Sequence, residues 1–406
     1  MSAGENELTG RQVWVSELNS QTNGRPAIHR TSPVRFYDTT LRDGEQTVGV
    51  VLSPQQKLTL ARYIDALGIS RIEAGFPRVS AEDAEAIGLI SKAGLNAEVW
   101  GFARAAIPDV DELARLELKF AVIEVPTSPI KLKAYGIEPE EAIRRAEAAI
   151  KHAKSRGIFV AFFPVDATRA DLNFLRRIYR AAIDAGADEA VVVDTIGACG
   201  PEAVEYLVGQ VRDWLGPSIP VHFHGHNDFG LATACAIAAV RAGASWIQGT
   251  INGMGERAGN ADLGEVALAL QCLYNVPVAM DLSRIREVST AVREASGYEL
   301  EPWKPVVGKN LFVRESGAVA SQFHIPEAIE PFSADLVGAH REIVLGKKSG
   351  LDSIALKAKE IGLEVPESLR PAVLAAVKNK GIAKRRLVTD TEFRQIVQDV
   401  CGSESF

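Results

Sequence analysis

From residue 34 onward, short runs of β-branched and aromatic residues alternate with longer segments in which apolar residues recur at helical spacing. The segment SPQQKLTLARYIDALG is one of the helical segments, with Ser53 as a cap, Pro54 in the first turn and Gly68 at its end. An alternation of strand and helix patterns is typical of βα units built around a parallel sheet.

The chain repeats this unit often enough to define a fold. Predicted strands begin near residues 34, 71, 97, 120, 159, 189, 220 and 245. Eight strands, each followed by a helical segment, predict an α/β protein with a (β/α)8 TIM barrel. No GxGxxG motif follows the first strand, which argues against an open dinucleotide-binding sheet.

The remaining segments suggest a division of the chain into four parts. Residues 1–32 are polar and lack a sustained period, so we expect a flexible N-terminal arm. The barrel is predicted over 33–285, and 286–350 is expected to form a lid or linker subdomain. Helical spacing returns in 351–406, which predicts a small C-terminal helical subdomain.

Composition narrows the function classes. The chain has 406 residues, 47% of them hydrophobic, and a formal net charge of -7. It therefore carries no general basic field that would attract nucleic acid or an anionic membrane. We find neither an apolar run of membrane-spanning length nor a signal peptide, so we expect a cytoplasmic protein with no membrane partner. The 4 cysteines form no CxxC pair.

The most specific chemical signal is HFHGHND, which begins at residue 222 in the seventh predicted strand. Side chains alternate along a strand, so the imidazoles of His222, His224 and His226 should leave one face. Two neighbouring imidazoles can bind one divalent cation. Because catalytic groups of a TIM barrel gather at the carboxyl ends of the strands, we expect this site at the mouth of the barrel.

Several longer motifs carry a family resemblance. They are FYDTTLRDGEQ from residue 36, HGHND from 224, NGMGERAGNADLGEV from 252, GKNLFVRESGAV from 308 and IVLGKKSG from 343. In order and spacing they resemble the acyl-CoA-dependent 2-oxo acid condensing enzymes, namely the homocitrate, isopropylmalate and citramalate synthases. Within this family we expect the chain to resemble the bacterial homocitrate synthases, because it lacks the long C-terminal regulatory domain of many isopropylmalate synthases.

The resemblance implies a reaction and a set of ligands. A 2-oxo acid would chelate a divalent cation (Mg, Mn or Zn), and the enolate of acetyl-CoA would attack its ketone before CoA is released by thioester hydrolysis. The positions that match the family's metal ligands are Asp43, His224, His226 and Asn260. Arg42 matches the arginine that stabilises charge on the ketone oxygen. Glu256 and Arg257 are expected to brace Asn260 through a buried ion pair.

The resemblance also implies substrate contacts. Thr195 corresponds to the threonine that holds the carboxylate of the 2-oxo acid, and Arg104 and Ser128 lie in the zone that senses the rest of it. Gln46 and Glu73 are expected close by. The family's lid segment reaches over a partner's active site, so the resemblance also implies a homodimer.

This chain departs from the family where acid–base residues are expected. The usual glutamate after the fifth strand is Val165, and the two histidines of the lid motif are Arg314 and Val319. A tyrosine and a further histidine of the family are replaced by Ile329 and Lys348. Valine cannot transfer a proton, so the usual acid–base set cannot operate.

Three explanations remain open, beside a binding protein without turnover. Another base such as Glu315, His324 or a bound water could serve, or the enolate could arise without a strong base. Alternatively, the chain could be a metal-dependent aldolase or lyase acting on a related anionic substrate. The gain of Arg314 and Lys348 favours an additional anionic group on the substrate, because guanidinium and ammonium groups bind carboxylates and phosphates.

Overall fold

The computed structural model describes residues 12–20, 28 and 33–402. It divides into two compact units, one of Glu17–Leu300 and one of Glu301–Phe406 together with Met1–Ser16. Most of the predicted arm, residues 1–32, lies outside the described residues.

The first unit is a closed barrel of parallel strands in sequence order, and β8 pairs with β1 to close it. The strands are β1 Arg35–Asp38, β2 Arg71–Gly75, β3 Glu98–Arg104, β4 Phe120–Pro126, β5 Phe159–Val165, β6 Glu189–Asp194, β7 Val221–Gly225 and β8 Trp246–Gly249. The predicted TIM barrel is confirmed, and every predicted strand lies within a residue or two of an observed one.

Helices surround the barrel. They are α1 Pro54–Ala66, α2 Ala81–Ser91, α3 Ile107–Arg115, α4 Pro129–Tyr135, α5 Pro139–Ser155, α6 Leu172–Asp184, α7 Pro201–Leu215, α8 Ala232–Arg241, α9 Leu263–Tyr274 and α10 Ile285–Ser296. Helix α1 begins as the sequence predicts, with a capping box. The hydroxyl of Ser53 accepts a hydrogen bond from the backbone N–H of Gln56, and the side chain of Gln56 accepts one from the backbone N–H of Ser53. Helix α10 lies beyond the predicted barrel boundary at 285, within the barrel unit.

The lower part of the barrel interior is filled by a buried ionic network. Arg71 donates to Glu189 at 2.5 Å and to Glu98 at 2.7 Å, and His222 lies 2.9 Å from Glu189. The guanidinium of Arg71 lies between the rings of Trp100 and Trp246, at 4.6 and 3.7 Å from their centroids. This network closes the floor below the mouth.

The second unit has its own core. It contains the short parallel strands β9 Val313–Arg314 and β10 Glu342–Ile343, and the helices α11 Gly317–Ala320, α12 Leu351–Glu360, α13 Arg370–Lys384 and α14 Asp390–Gly402. Ile354, Val373, Val377 and Phe393 are buried between these helices. The predicted C-terminal helical region is confirmed, whereas the domain boundaries at 285 and 350 remain predictions.

Among the described helices, none combines the length and apolarity that crossing a bilayer requires.

The buried network predicts a large effect of one substitution. Arg71→Ala should lower the free energy of unfolding by about 3–5 kcal/mol, because Glu189 would keep a buried charge without its main partner. Urea denaturation measures this, with Arg115→Ala as control, since Arg115 forms an exposed pair with Glu112 and should change stability little. Equal losses in both variants would contradict the prediction.

Candidate metal centre and active site

Three of the predicted metal ligands meet at the mouth of the barrel. The Nε2 atoms of His224 and His226 lie 3.2 and 3.6 Å from Oδ2 of Asp43. One ligand atom of each residue lies within 4.8 Å of the others, and all three side chains are buried. One carboxylate and two imidazoles so placed can hold a metal ion.

The elements explain this meeting. Asp43 follows β1 in a tight turn, where its backbone N–H and that of Gly44 both donate to the carbonyl of Thr39. His224 is on β7 and His226 directly follows it, so the two imidazoles share a face and their rings lie 5.4 Å apart. The turn brings a carboxylate from the first strand next to imidazoles from the seventh.

Asn260 is held beside His226 by an isolated antiparallel bridge between the two backbones. Its side-chain Nδ2 donates to the carbonyl of Met254 at 2.9 Å. This bond leaves Oδ1 buried with no hydrogen-bond partner among the described residues. Asn260 therefore presents a free acceptor oxygen next to the histidine pair.

Several buried polar atoms at this site lack hydrogen-bond partners among the described residues, and they show whether the site suits a cation. Oδ2 of Asp43, Oδ1 of Asn260 and the Nδ1 atoms of His224 and His226 are buried without hydrogen-bond partners in the described part of the chain. Buried polar groups are rarely left without a partner, and a bound ion is one recognised reason for such an arrangement. Oxygen and imidazole donors suit Mg, Mn or Zn, so these residues fit a divalent cation.

Electrostatics keep Asp43 and His226 in their metal-binding protonation states. Burial opposes ionisation of Asp43, but the Arg42 charge and the two imidazoles hold the pKa of this carboxyl well below its usual range. Burial lowers the pKa of His226 to about 4, although Asp43 acts in the opposite direction. At neutral pH the site therefore offers a carboxylate and a neutral imidazole.

The glycines of the NGMGERAGN loop are required by close packing around Asn260. At Gly259, where φ is +81°, an added Cβ would lie 1.9 Å from the carbonyl oxygen of Gly253. At Gly255 it would lie 2.3 Å from Nδ2 of Asn260. The loop can hold Asn260 in place only if these positions lack side chains.

Arg42 lies next to the metal donors and is held on two sides. Its Nε donates to Glu73, and its Nη1 lies 3.5 Å from Oδ2 of Asp43. Tyr37 donates to the other carboxylate oxygen of Glu73 at 2.6 Å, and the guanidinium covers the ring of Phe102 at 4.2 Å. The Nη2 group is buried with no partner among the described residues, so a donor remains free for a ligand oxygen.

The third histidine of the motif belongs to the floor. Besides its contact with Glu189, Nδ1 of His222 lies 3.2 Å from Nε2 of Gln248. Burial lowers the pKa of His222, against the opposing charge of Glu189. His222 therefore supports the site from below and does not belong to the donor set of Asp43, His224 and His226.

The other predicted substrate contacts of the barrel also lie around this mouth, but they differ in their hydrogen-bond partners and in their exposure. Thr195 accepts a hydrogen bond through Oγ1 from the backbone N–H of Asp166 at 2.7 Å, and Ser128 donates to the carboxylate of Asp166. Arg104 is half-exposed and forms a bidentate pair with Asp109 at 2.7 and 3.0 Å. Gln46 is exposed on the loop after β1.

The expected buried pair of Glu256 and Arg257 is wrong. Both side chains are exposed and their charged atoms are 3.6 Å apart. Arg257 instead donates to Asp228 at 2.8 Å and to the carbonyl of Thr195 at 2.8 Å. It links the loop of Asn260 to the turn after β7, which the local sequence spacing did not indicate.

The predicted lid residues lie in the second unit. Arg314 donates to the carbonyls of Leu311 and Val313 at 2.8 and 3.1 Å and lies 3.6 Å from Glu330. Glu315 pairs with Lys348 at 3.1 Å. Their roles toward a substrate remain predictions.

Two carboxylates of the mouth were missed by sequence reasoning. Asp166 is fully buried with φ of +63° and binds Ser128 and Arg169. Glu124 lies on β4 and shares the interior face of the strand with Phe120 and Val122, because side chains alternate along a strand. The signal for Glu124 was available, since it is a charged residue in the otherwise apolar strand FAVIEVP.

Comparison with known proteins places the chain in a family. Residues 33–292 match the HMGL-like family, and the chain belongs to it. It is 41% identical over 372 residues to a homocitrate synthase of Methanopyrus kandleri, covering 91% of this chain and 93% of that protein. It is also 38% identical to a homocitrate synthase of Methanothermobacter thermautotrophicus, covering 97% of this chain and all of that protein.

A further relative carries a different substrate name. The 2-isopropylmalate synthase of Methanocaldococcus jannaschii is 40% identical over 377 residues, which are 91% of this chain and 72% of that protein. Among solved structures, the HMG-CoA lyase of Brucella melitensis superposes with a TM-score of 0.60 at 17% identity, covering 66% of this chain and 100% of that chain. At this identity the likeness concerns the barrel fold.

The donor set predicts which histidines bind metal. His224→Ala and His226→Ala should each weaken Mn²⁺ binding by at least about 100-fold, since loss of a ligand should exceed the 10–100-fold cost typical of outer-shell changes. Titration calorimetry measures this, with His222→Ala as the matched control that retains stoichiometric binding. Loss of binding in the control alone would contradict the assignment.

The loop glycine predicts a steric effect. Gly259→Ala should reduce metal affinity about 10-fold by displacing Asn260, as expected for a disturbed supporting shell, and should lower the Tm. Gly297→Ala is the control, because Gly297 has a similar φ of +73° but nothing within 4 Å of an added Cβ. If both variants keep wild-type metal affinity and lose the same Tm, backbone strain alone explains the effect.

Proposed function

We propose that the protein is a divalent-metal-dependent acyltransferase that condenses acetyl-CoA with a 2-oxo acid to a 2-hydroxy-2-alkyl di- or tricarboxylic acid and releases CoA. The observation that carries this proposal is the buried set of Asp43, His224 and His226 beside Arg42, whose Nη2 lacks a partner among the described residues. The names of the relatives, homocitrate synthase and 2-isopropylmalate synthase, support condensation over the aldolase or lyase alternative.

The cation proposed here is Mg, Mn or Zn, held by Asp43, His224, His226 and Asn260. When bound, it would act as a Lewis acid toward the carboxylate and ketone oxygens of the 2-oxo acid. The protein's own contribution is a rigid donor set, since a turn, a strand and a glycine-rich loop hold these residues.

Arg42 is the proposed stabiliser of negative charge on the ketone oxygen. As the new C–C bond forms, this oxygen gains a full charge, and a buried guanidinium N–H without another partner can donate to it. Glu73 and Tyr37 hold the guanidinium in orientation through Nε, so they act as positioning residues. Burial disfavours the charge of Arg42, but Glu73 and Asp43 raise its pKa above the ordinary value, and it stays cationic.

The remaining proposed contacts select the 2-oxo acid. Thr195 would bind its carboxylate, while Arg104 and Ser128 would face its variable end, with Gln46 at the rim. Ser128 donates to Asp166 and caps α4, so its effect on the substrate would pass through the placement of Asp166. Arg314 and Glu315 remain proposed contributors from the second unit.

We also propose that the enzyme works as a cytoplasmic homodimer. The dimer is supported by the resemblance and by the domain organisation predicted by the sequence, in which a lid follows the barrel. Size-exclusion chromatography with light scattering tests the dimer.

The activity is tested by CoA release. Purified protein with Mg²⁺, Mn²⁺ or Zn²⁺ should release free thiol from acetyl-CoA with at least one of 2-oxoglutarate, pyruvate and 2-oxoisovalerate, and chelation with EDTA should abolish it. Mass spectrometry should find a product heavier than the 2-oxo acid by one acetyl unit plus water. No thiol release with a full panel, or only fragments lighter than the acid, would overturn the proposal.

Arg42 provides a more specific test. Arg42→Lys should reduce kcat/KM by at least about 100-fold, because one ammonium cannot both pair with Glu73 and donate to the ketone oxygen in a fixed geometry. Metal affinity should change little, which titration calorimetry checks. Arg144→Lys, an exposed arginine on α5, serves as control. A kcat/KM within threefold of wild type in Arg42→Lys would contradict the assigned role.

A further inference from the structure

One carboxylate at the mouth is not used by any contact described above. On β4, Phe120 and Val122 contact the cluster of side chains that fills the barrel interior. Because side chains alternate along a strand, Glu124 is the next interior residue, and it lies at the carboxyl end of the strand. Its side chain is partly exposed although its strand is enclosed by β3 and β5, so its exposed part opens toward the mouth.

The neighbours of Glu124 place it close to the reacting groups. It is in register with Arg104 on β3 and with Phe163 on β5. The ring of Phe163 contacts the imidazole of His224, with 5.2 Å between centroids, and also lies 5.8 Å from the ring of Phe102 that Arg42 covers. One side chain, Phe163, therefore lies between Glu124 and the metal donor His224, and two, Phe163 and Phe102, lie between Glu124 and Arg42.

Apart from Asp43, which belongs to the metal donors, every other interior or strand-end carboxylate at the mouth is already engaged. Asp38 accepts hydrogen bonds from the backbone and the hydroxyl of Thr40. Glu73 is bound by Arg42 and Tyr37, Asp109 by Arg104, Asp166 by Arg169 and Ser128, Asp194 by Thr168, and Asp228 by Arg257. Glu124 has no side-chain hydrogen bond or ion pair within the described residues. The next interior position on β5 is Val165, which cannot exchange a proton.

The charges of the proposed substrates limit what such a carboxylate can do. Both a 2-oxo acid and an acyl-CoA are anionic, so an ionised Glu124 would not attract either of them. A carboxylate without a partner, in a partly buried position beside the reaction centre, is suited to accept a proton.

We propose that Glu124 is the catalytic base that generates the nucleophile in this enzyme, an inference that rests on the proposed condensation. A carboxylate oxygen of Glu124 takes a proton from the methyl group of acetyl-CoA. The electron pair of the broken C–H bond forms the enolate, which then forms the C–C bond to the ketone carbon of the 2-oxo acid. The electron pair of the ketone passes to its oxygen, and the proton remains on Glu124.

The electrostatic surroundings suit this role. Burial raises the pKa of Glu124 to about 7, while the charges of Arg42 and Arg104 lower it and those of Asp109 and Glu73 raise it. These are the charged groups that face Glu124 from the loop after β1, from β2, from β3 and from α3, whereas β5 presents the apolar Phe163 and Val165. A base whose pKa lies near the working pH is ionised in a large fraction of the molecules and still binds a proton strongly enough to remove it from the substrate.

The test compares Glu124→Gln with wild type in the full chain, loaded with metal and supplied with acetyl-CoA and the accepted 2-oxo acid. We expect kcat to fall by about 100-fold or more, the range of general base catalysis. The KM of the 2-oxo acid and the affinity for Mn²⁺ should stay within threefold. Wild-type kcat, measured at saturating metal, should rise with pH through the region near 7, because only the ionised carboxylate is active. We call this rise the acidic limb of the pH profile, and the variant should lack it.

Two further variants separate catalysis from structure. Glu124→Asp should keep the acidic limb at reduced kcat, because the carboxylate remains but is one methylene shorter. In the Glu124→Gln background, Val165→Glu restores a carboxylate on the neighbouring strand at the same face, and we expect at least a 10-fold recovery of kcat. Glu85→Gln, an exposed carboxylate on α2, is the control that should match wild type.

The outcomes distinguish this inference from the proposed function. If wild type releases no CoA with any 2-oxo acid, the proposed function fails. If wild type is active and Glu124→Gln keeps more than a third of its kcat or keeps the acidic limb, Glu124 is not the base. A raised KM at unchanged kcat would assign it to substrate binding and also overturn the inference.

Discussion

The arrangement of the mouth depends on the ion pair between Arg42 and Glu73. Glu73 is fully buried, and its charge is balanced by a guanidinium from the turn after the preceding strand. A buried carboxylate without this partner would be strongly destabilising, so the pair fixes where Arg42 lies. Since Asp43 follows directly in the chain, the same pair also fixes the carboxylate that faces the two imidazoles.

The barrel interior divides into two layers with different tasks. In the floor, Arg71 is matched by Glu189 and Glu98 and covered by two tryptophans, so its hydrogen-bonding groups are directed at protein atoms. In the mouth, one buried atom of each of Arg42, Asp43 and Asn260 (Nη2, Oδ2 and Oδ1) has no hydrogen-bond partner among the described residues. The ionic groups of the floor stabilise the fold, whereas the unpaired atoms of Arg42, Asp43 and Asn260 in the mouth are available to ligands.

The histidines of β7 illustrate this division. His222 and His224 are two residues apart and share a face, yet one contacts Glu189 in the floor and the other Asp43 in the mouth. A strand rises by about 3.3 Å per residue, so two residues span the distance between the layers. The position along the strand, and not the type of residue, decides which role a histidine has.

The sequence by itself determined the barrel, because alternating strand and helix patterns and local caps such as Ser53 depend on neighbouring residues. Through its family motifs it also implied that Asp43, His224, His226 and Asn260 come together, at the end of the barrel where the carboxyl ends of the parallel strands meet. It did not indicate that Arg257 pairs with Asp228, or that Glu124 alone among the strand-end carboxylates of the mouth lacks a direct partner in the described chain. Those facts depend on which side chains of distant strands and loops meet, and only closure of the barrel decides that.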